Sequence, residues 1–367
     1  MGRMRKIVAT ATAGAAAVMA LTPPVAGCGA DERIVRSDYH VTSDPGMQIA
    51  VREVSSDSPD PAKRSVLLLH GARVPGVASF DLAVAGGSLA ADLAYAGHRV
   101  FVMDARGYGG STRPSALSEP PEANPPQVRS DVVVRDVAAV VDDIAERARE
   151  EHPDGKVALL GWATGAHWLG QFAATHPDRV SHLMLYNALY GPIDGHPTMG
   201  RGSDYEDPNG PGRFNAGEFG AYRLVAGPSL LPSWDQRIPT DDKSIWRDPA
   251  VVDAYVRAAL ASDPTSGTRN PPSFRAPSGA IEDSFYLATG RQLWDAASIS
   301  APTLVLRSEH DFWSRPEDAR LLERHLTRAR TVRNVELDNA THYVHLDRPQ
   351  YGRDQFLAEI TRFLAET

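Results

Sequence analysis

The chain has 367 residues, 42% of them hydrophobic and 23% charged, with a net charge of -8 at neutral pH. That length and balance can bury a large core, and they exclude a disordered chain or a simple membrane protein. Acidity without a long basic run also argues against nucleic acid or an anionic lipid surface as principal partner.

In chain order, the first feature is a processing signal over residues 1–28. Arg3, Arg5 and Lys6 form a positive start, followed by an Ala-rich apolar stretch over 7–21. This stretch is shorter than the roughly 20 residues that cross a bilayer comfortably. It leads into Val25-Ala26-Gly27-Cys28, which resembles a bacterial lipobox. Cys28 is the only cysteine and has no partner for an internal disulfide, so it is predicted to carry a lipid anchor. The plain alternative is an ordinary secretory leader with an incidental cysteine. Either reading exports the protein, and the N-terminal anchor is the only membrane contact expected.

Two alternating segments, Tyr39 to Thr42 and Met47 to Glu53, flank Ser43-Asp44-Pro45-Gly46 and predict an antiparallel hairpin at a sheet edge. Apolar runs then recur over 66–69, 98–103, 157–160, 183–186, 303–306 and 331–337. Helical patterns intervene near 87–96, 130–150, 164–175, 316–328 and 350–365. The second helix is the best marked, with Val133, Val137, Val140, Val141 and Ile144 at helical spacing. Continuous apolar strands alternating with amphipathic helices predict an α/β fold, a mainly parallel sheet with helices on both faces.

One turn in this series stands out. Gly161-Trp162-Ala163-Thr164-Gly165 lies between an apolar strand and a helix that stops at His176-Pro177. It is the frame of a G-x-S-x-G nucleophile elbow, a tight strand-to-helix turn that presents a hydroxyl at the top of a sheet. Ala163 has no hydroxyl, so no acyl-enzyme forms through this position.

Between the strands near 187 and 303 lie about a hundred residues, too many for a simple connection, so 191–299 is predicted to be a cap inserted into a core of 35–190 and 300–367. Its first half, rich in Gly, Pro and Asp, reads as irregular; helices are expected near 249–261 and 281–293. Tyr222, Leu231, Trp234, Trp246, Phe274, Phe285, Tyr286 and Trp294 supply apolar and aromatic surface. Most of these are expected to pack the cap onto the sheet, with a few left to line a pocket for an apolar acyl or alcohol group of a small apolar or aromatic ester.

Five ordered landmarks make the chain resemble the α/β-hydrolase family from about residue 35 to 365. They are Val66-Leu67-Leu68-Leu69-His70-Gly71, Asp104-Ala105-Arg106-Gly107-Tyr108-Gly109-Gly110-Ser111, the altered elbow, Ser308-Glu309-His310-Asp311-Phe312-Trp313, and Ala340-Thr341-His342-Tyr343-Val344-His345-Leu346. The resemblance implies hydrolysis of a carboxylic ester, with lactones or amides as close variants. In that scheme His342 is the base, Asp311 orients it, and the backbone N–H groups of Ala72 and Thr164 hold the oxyanion. His345 and Glu309 are rival base and acid, each less well placed in the family pattern; His70 reads as a turn residue; Asn187 stands where some relatives carry the acid. Thr164 has a hydroxyl, but one step along a tight turn aims it elsewhere. A zinc site built from His310, Asp311, His342 and His345 lacks a familiar ligand spacing, so no metal and no cofactor is predicted. Ala163 itself admits three readings: a substituted serine, a ligand-binding protein on a hydrolase frame, or an enzyme whose His342 and Asp311 act as a base without a nucleophile, as in lyase or cofactor-free oxygenase chemistry.

Overall fold

The computed structural model describes residues 33–366, so the leader and Cys28 lie outside the described residues. Strands β1 (Ile34–Thr42) and β2 (Gln48–Ser56) form the expected hairpin, with Thr42 opposite Gln48. Gly46, at φ +78°, lets the intervening turn close, since residues with a Cβ rarely adopt that backbone. β1 is largely exposed, as befits an edge strand; β2 alternates and joins the rest of the sheet through an antiparallel pairing with β4 (Val100–Met103).

From there the sheet is parallel. β3 (Val66–Leu69) lies between β4 and β5 (Val157–Trp162), and β6 (Val180–Tyr186), β9 (Thr303–His310) and β10 (Val332–Thr341) follow outward. The order in space is β1-β2-β4-β3-β5-β6-β9-β10. Every residue of β3, β4 and β5 is buried, which accounts for their unbroken apolar sequences. The helix Ser130–Arg147 buries the five aliphatic residues that marked it and ends three residues before the sequence pattern suggested.

Several strands run longer than the apolar runs, and the extensions of β9 and β10 matter most for the site. β9 continues to His310, which delivers Asp311 to the end of the sheet. β10 continues to Thr341 through a register irregularity between Leu337 and Thr341, with Asn339 at φ +54°, and this puts His342 beside that same end. The last helix begins at Asp354 rather than 350, because Pro349–Arg353 forms a wider turn in which Gly352 takes φ +84°.

The segment between β6 and β9 contains the helix Pro249–Ala261 at the bounds expected, and Gly279–Ala288 in place of 281–293. It also contains two strands absent from the sequence reading. β7 (Tyr222–Ala226) and β8 (Ser273–Pro277) pair antiparallel as a separate ribbon, so the first half of the segment is not wholly irregular.

Candidate active site

The elbow explains its own glycines. A Cβ on Gly161 would meet the backbone N and Cα of Ala166 at 2.7 and 2.6 Å; one on Gly165 would meet the carbonyl O of His70 at 2.5 Å. Helix Thr164–Thr175 can therefore start hard against β3 and β5 only with bare backbone at both positions. Between them Ala163 adopts φ +51°, ψ -111°, a sparsely populated conformation for a residue with a side chain, with its N–H bonded to Tyr186 O at 2.9 Å.

Opposite the elbow, His342 Nδ1 lies 2.6 Å from Asp311 Oδ1. Asp311 also accepts from the N–H groups of Trp313 (3.0 Å) and Ser314 (2.8 Å) and from the Ser314 hydroxyl. Burial pushes the Asp311 carboxyl up, but His342 beside it and these donors outweigh burial and hold it below the usual carboxylate range. Such a carboxylate fixes the imidazole with Nδ1 protonated and leaves Nε2 as the acceptor, with no protein partner among the described residues. Phe312, Trp162 and Tyr343 pack around the ring at centroid distances of 4.7, 5.2 and 5.4 Å. The loop carrying it is tied down by Trp162 Nε1 and Asn187 Nδ2, which both donate to His342 O, at 3.0 and 3.2 Å.

Two backbone donors complete the arrangement. His70 Nε2 accepts from Ala105 N–H at 3.1 Å, which places the ring proton on Nδ1, 2.7 Å from Gly71 O. In a trans peptide the C=O and N–H point opposite ways, so this bond aims the Ala72 N–H away from His70. Likewise Ala163 O accepts from His167 N–H at 3.3 Å, and the Thr164 N–H of the following peptide leaves the helix in the other direction. Neither the Ala72 nor the Thr164 N–H has a protein acceptor among the described residues, and both residues line one cavity of about 260 Å³ with Ala163 and His342. The loop after β4 supports this wall: Tyr108 donates to Ala72 O at 3.0 Å, while Asp104 accepts from Gly76 and Gly110 N–H.

The rival residues fall elsewhere. Glu309 is exposed and accepts from Asn339 N–H at 2.8 Å. His345 is fully buried against Trp162, 3.1 Å from the Tyr186 hydroxyl, and burial, with His342 and Arg353 nearby, holds it well below the usual imidazole range. Asn187 ties β6 to β9 by accepting from Ser308 N–H at 2.8 Å. The Thr164 hydroxyl is buried without a partner among the described residues. No group of three metal-ligating side chains occurs among the described residues.

Several lining residues escaped the sequence reading. Arg73 lies next to Ala72, and Arg223, Ser233 and Tyr255 come from the inserted segment. Arg73 Nη2 donates to Tyr343 OH (2.7 Å) and Ser233 Oγ (3.0 Å), and Arg223 Nη2 donates to Ala72 O (3.0 Å). Only the position of Arg73, two residues after Gly71 of the His70-Gly71 landmark, hinted at any of them. None of the eight cap residues singled out from sequence lines this cavity; Trp234, for example, stacks on Tyr343 at 4.6 Å and donates to Asp347 at 2.8 Å.

The family described as "alpha/beta hydrolase fold" matches residues 64–349. Among solved structures, the chain is similar to a thioesterase domain from the curacin biosynthetic pathway: 16% identity, 90% of this chain and 100% of that one covered, TM-score 0.55. It is also similar to a thermophilic esterase from Thermogutta terrifontis (19%, 90% and 98%, TM-score 0.54). A third is the 2-hydroxy-6-oxo-6-phenylhexa-2,4-dienoate hydrolase from Rhodococcus sp. strain RHA1 (16%, 91% and 100%, TM-score 0.53). At these identities the likeness concerns the fold. No curated protein matches the chain significantly. With the matched region spanning most of the sequence and the strand order just described, the chain belongs to the α/β-hydrolase fold family.

Proposed function

We propose that this cavity is the acyl-transfer site of an exported carboxylic ester hydrolase in which Ala163 stands where the nucleophilic serine would be. The single observation that carries the reading is the backbone of Ala163. It is held in a costly conformation whose use is to present a side chain to a base, and His342, oriented by Asp311 behind it, lines the same cavity. The N–H groups of Ala72 and Thr164, without a protein acceptor among the described residues, suit the developing charge of a tetrahedral intermediate. His342 would take the proton of a hydroxyl at 163 and return it to the leaving alcohol. With alanine there, the protein binds the ester and the first covalent step is missing.

Ala163→Ser is therefore expected to hydrolyse short acyl p-nitrophenyl esters and to react with a fluorophosphonate, while the alanine form is slower by about 10⁶. A folded serine form that neither turns over nor labels would falsify this reading. A base acting without a nucleophile predicts the reverse pattern: turnover by the alanine form, lost in His342→Ala.

A further inference from the structure

The 260 Å³ cavity holds two arginines, and neither has a carboxylate partner. Among the described residues Arg73 and Arg223 take part in no ion pair, in a molecule where most partly buried arginines do, Arg106, Arg129, Arg275 and Arg307 among them. The two come from distant parts of the chain. Arg73 follows the oxyanion donor Ala72, and Arg223 lies on β7 of the inserted segment. Their partners are neutral: Tyr343 OH, Ser233 Oγ and Ser229 O for Arg73, the Ala72 carbonyl for Arg223, whose Nε is buried without a hydrogen-bond partner among the described residues.

Uncompensated positive charge in a cavity wall is costly. Taking a guanidinium out of water without an anion forfeits hydration that hydroxyls and carbonyls only partly replace. Burial pushes Arg223 down from its ordinary value; Tyr108 and Tyr205 oppose that and Arg73 adds to it, with no acidic group near enough to contribute. Arg73 is instead raised from its ordinary value, chiefly by Tyr343 beside it and against the opposing effect of burial, and the residues that favour its charge are tyrosines, none of them a carboxylate. A bound anion would repay this cost, and a planar carboxylate is the match for guanidinium N–H groups.

We infer that the natural substrate carries a free carboxylate, held between Arg73 and Arg223 beside the oxyanion-binding N–H groups, so that the ester is cleaved from an acid-bearing molecule rather than a wholly apolar one. Arg223 has a second consequence. Its bond to Ala72 O links anion binding to the loop that carries one oxyanion donor, so a substrate lacking the carboxylate leaves that loop less firmly set. The inference rests on the cavity being the substrate site proposed above. It replaces the expectation of an apolar or aromatic ester by one with a charged end.

The test uses the Ala163 protein as it stands and two probes, monobenzyl succinate and its neutral methyl ester, with binding followed by calorimetry and by quenching of tryptophan fluorescence, Trp162 and Trp313 being in the cavity wall. The expected result is at least 10-fold tighter binding of the acid, with the acid-to-neutral ratio falling toward one in Arg73→Met and in Arg223→Met. The ratio serves as internal control against general loss of structure, and circular dichroism establishes that each variant is folded. Equal affinity for the two probes overturns the inference while leaving the ester site intact. A stronger preference for benzyl phosphate than for monobenzyl succinate overturns the choice of carboxylate. If neither probe binds and Ala163→Ser hydrolyses no ester, the function proposed above falls and the inference falls with it.

Discussion

Replacing Gly165 by alanine probes the elbow most directly. The added Cβ would lie well inside contact distance of Leu69 O, 2.5 Å from His70 O and 2.8 Å from the Leu69 carbonyl carbon. Carbon and carbonyl oxygen rest comfortably at about 3.3 Å or more, so the helix must retreat from β3 by at least about 0.8 Å, the nearer Leu69 O asking for more. All three obstacles are backbone atoms at the end of β3, a strand paired on both sides, and no change of rotamer relieves them. Overpacking of this kind costs up to about 3 kcal/mol, and exchanging a helical glycine for alanine returns at most about 1 kcal/mol. The net loss is about 2 kcal/mol. Gly217→Ala, in a short helix where the new methyl meets nothing within 4 Å, is the matched control and should be neutral or slightly stabilising. Equilibrium urea denaturation of both variants measures the difference. Because the retreat moves the Thr164 N–H with the helix, Gly165→Ala in an Ala163→Ser background should also lose hydrolysis. A Gly165→Ala protein as stable as its parent would refute the account of why the elbow needs a bare backbone.

Further outcomes follow from the same geometry. In the Ala163→Ser background, Asp311→Asn should lower kcat by about 10⁴, because the amide leaves His342 in the wrong tautomer, and kcat should fall far more than KM rises. His167, buried with Trp294 Nε1 donating to its Nδ1 at 2.9 Å, is held down to about 3 by burial, with a lesser push from Arg129. A folded-state value below the unfolded one means that the contribution is complete above about pH 6.5 and is lost as pH falls from there toward 3, at about 1.4 kcal/mol per unit. Denaturation at pH 7.5 and 5 should show His167→Leu losing about 2 kcal/mol less than the parent on acidification; parallel losses would contradict that origin. Cys28→Ser should move the protein expressed in a bacterium from the detergent-extractable membrane fraction to the soluble exported one, and intact mass of the parent should show acyl groups on Cys28. An unmodified Cys28 would leave a plain secreted protein.

Most of the core was legible because its strands are buried on both faces and announce themselves as unbroken apolar runs. What escaped detection depends on context. Tyr222–Ala226 is half exposed, with Leu224 pointing outward, so β7 has neither the continuous apolar signature nor a clean alternation, and its pairing with β8 is contributed by residues some fifty positions away. The helix Gly279–Ala288 ended early at a signal that was present: Gly290, at φ +89°, occupies the left-handed conformation that commonly closes helices. The apolar run stops at Leu337, yet the chain absorbs Asp338-Asn339 as an irregularity in register and carries β10 on to Thr341, next to His342. Within the site, Asp311 and His342 were recognisable because each sits in a local motif. The arginines were not, since the meeting of Arg223 with Ala72 spans 151 positions and nothing near Arg223 in sequence marks it.

The conformation at residue 163 is imposed from outside the residue. The glycines on either side, the bond from its N–H to Tyr186 O and the start of the helix fix where the Cα–Cβ bond points, and the methyl group of Ala163 contributes nothing to that aim. The turn is thus a socket with a set orientation and an exchangeable occupant. Serine, cysteine or aspartate placed there would inherit the same direction toward the cavity that His342 lines, and would differ only in the chemistry of the group presented. For an engineer, the aim of the side chain at 163 is already set and stands apart from the choice of atom placed there.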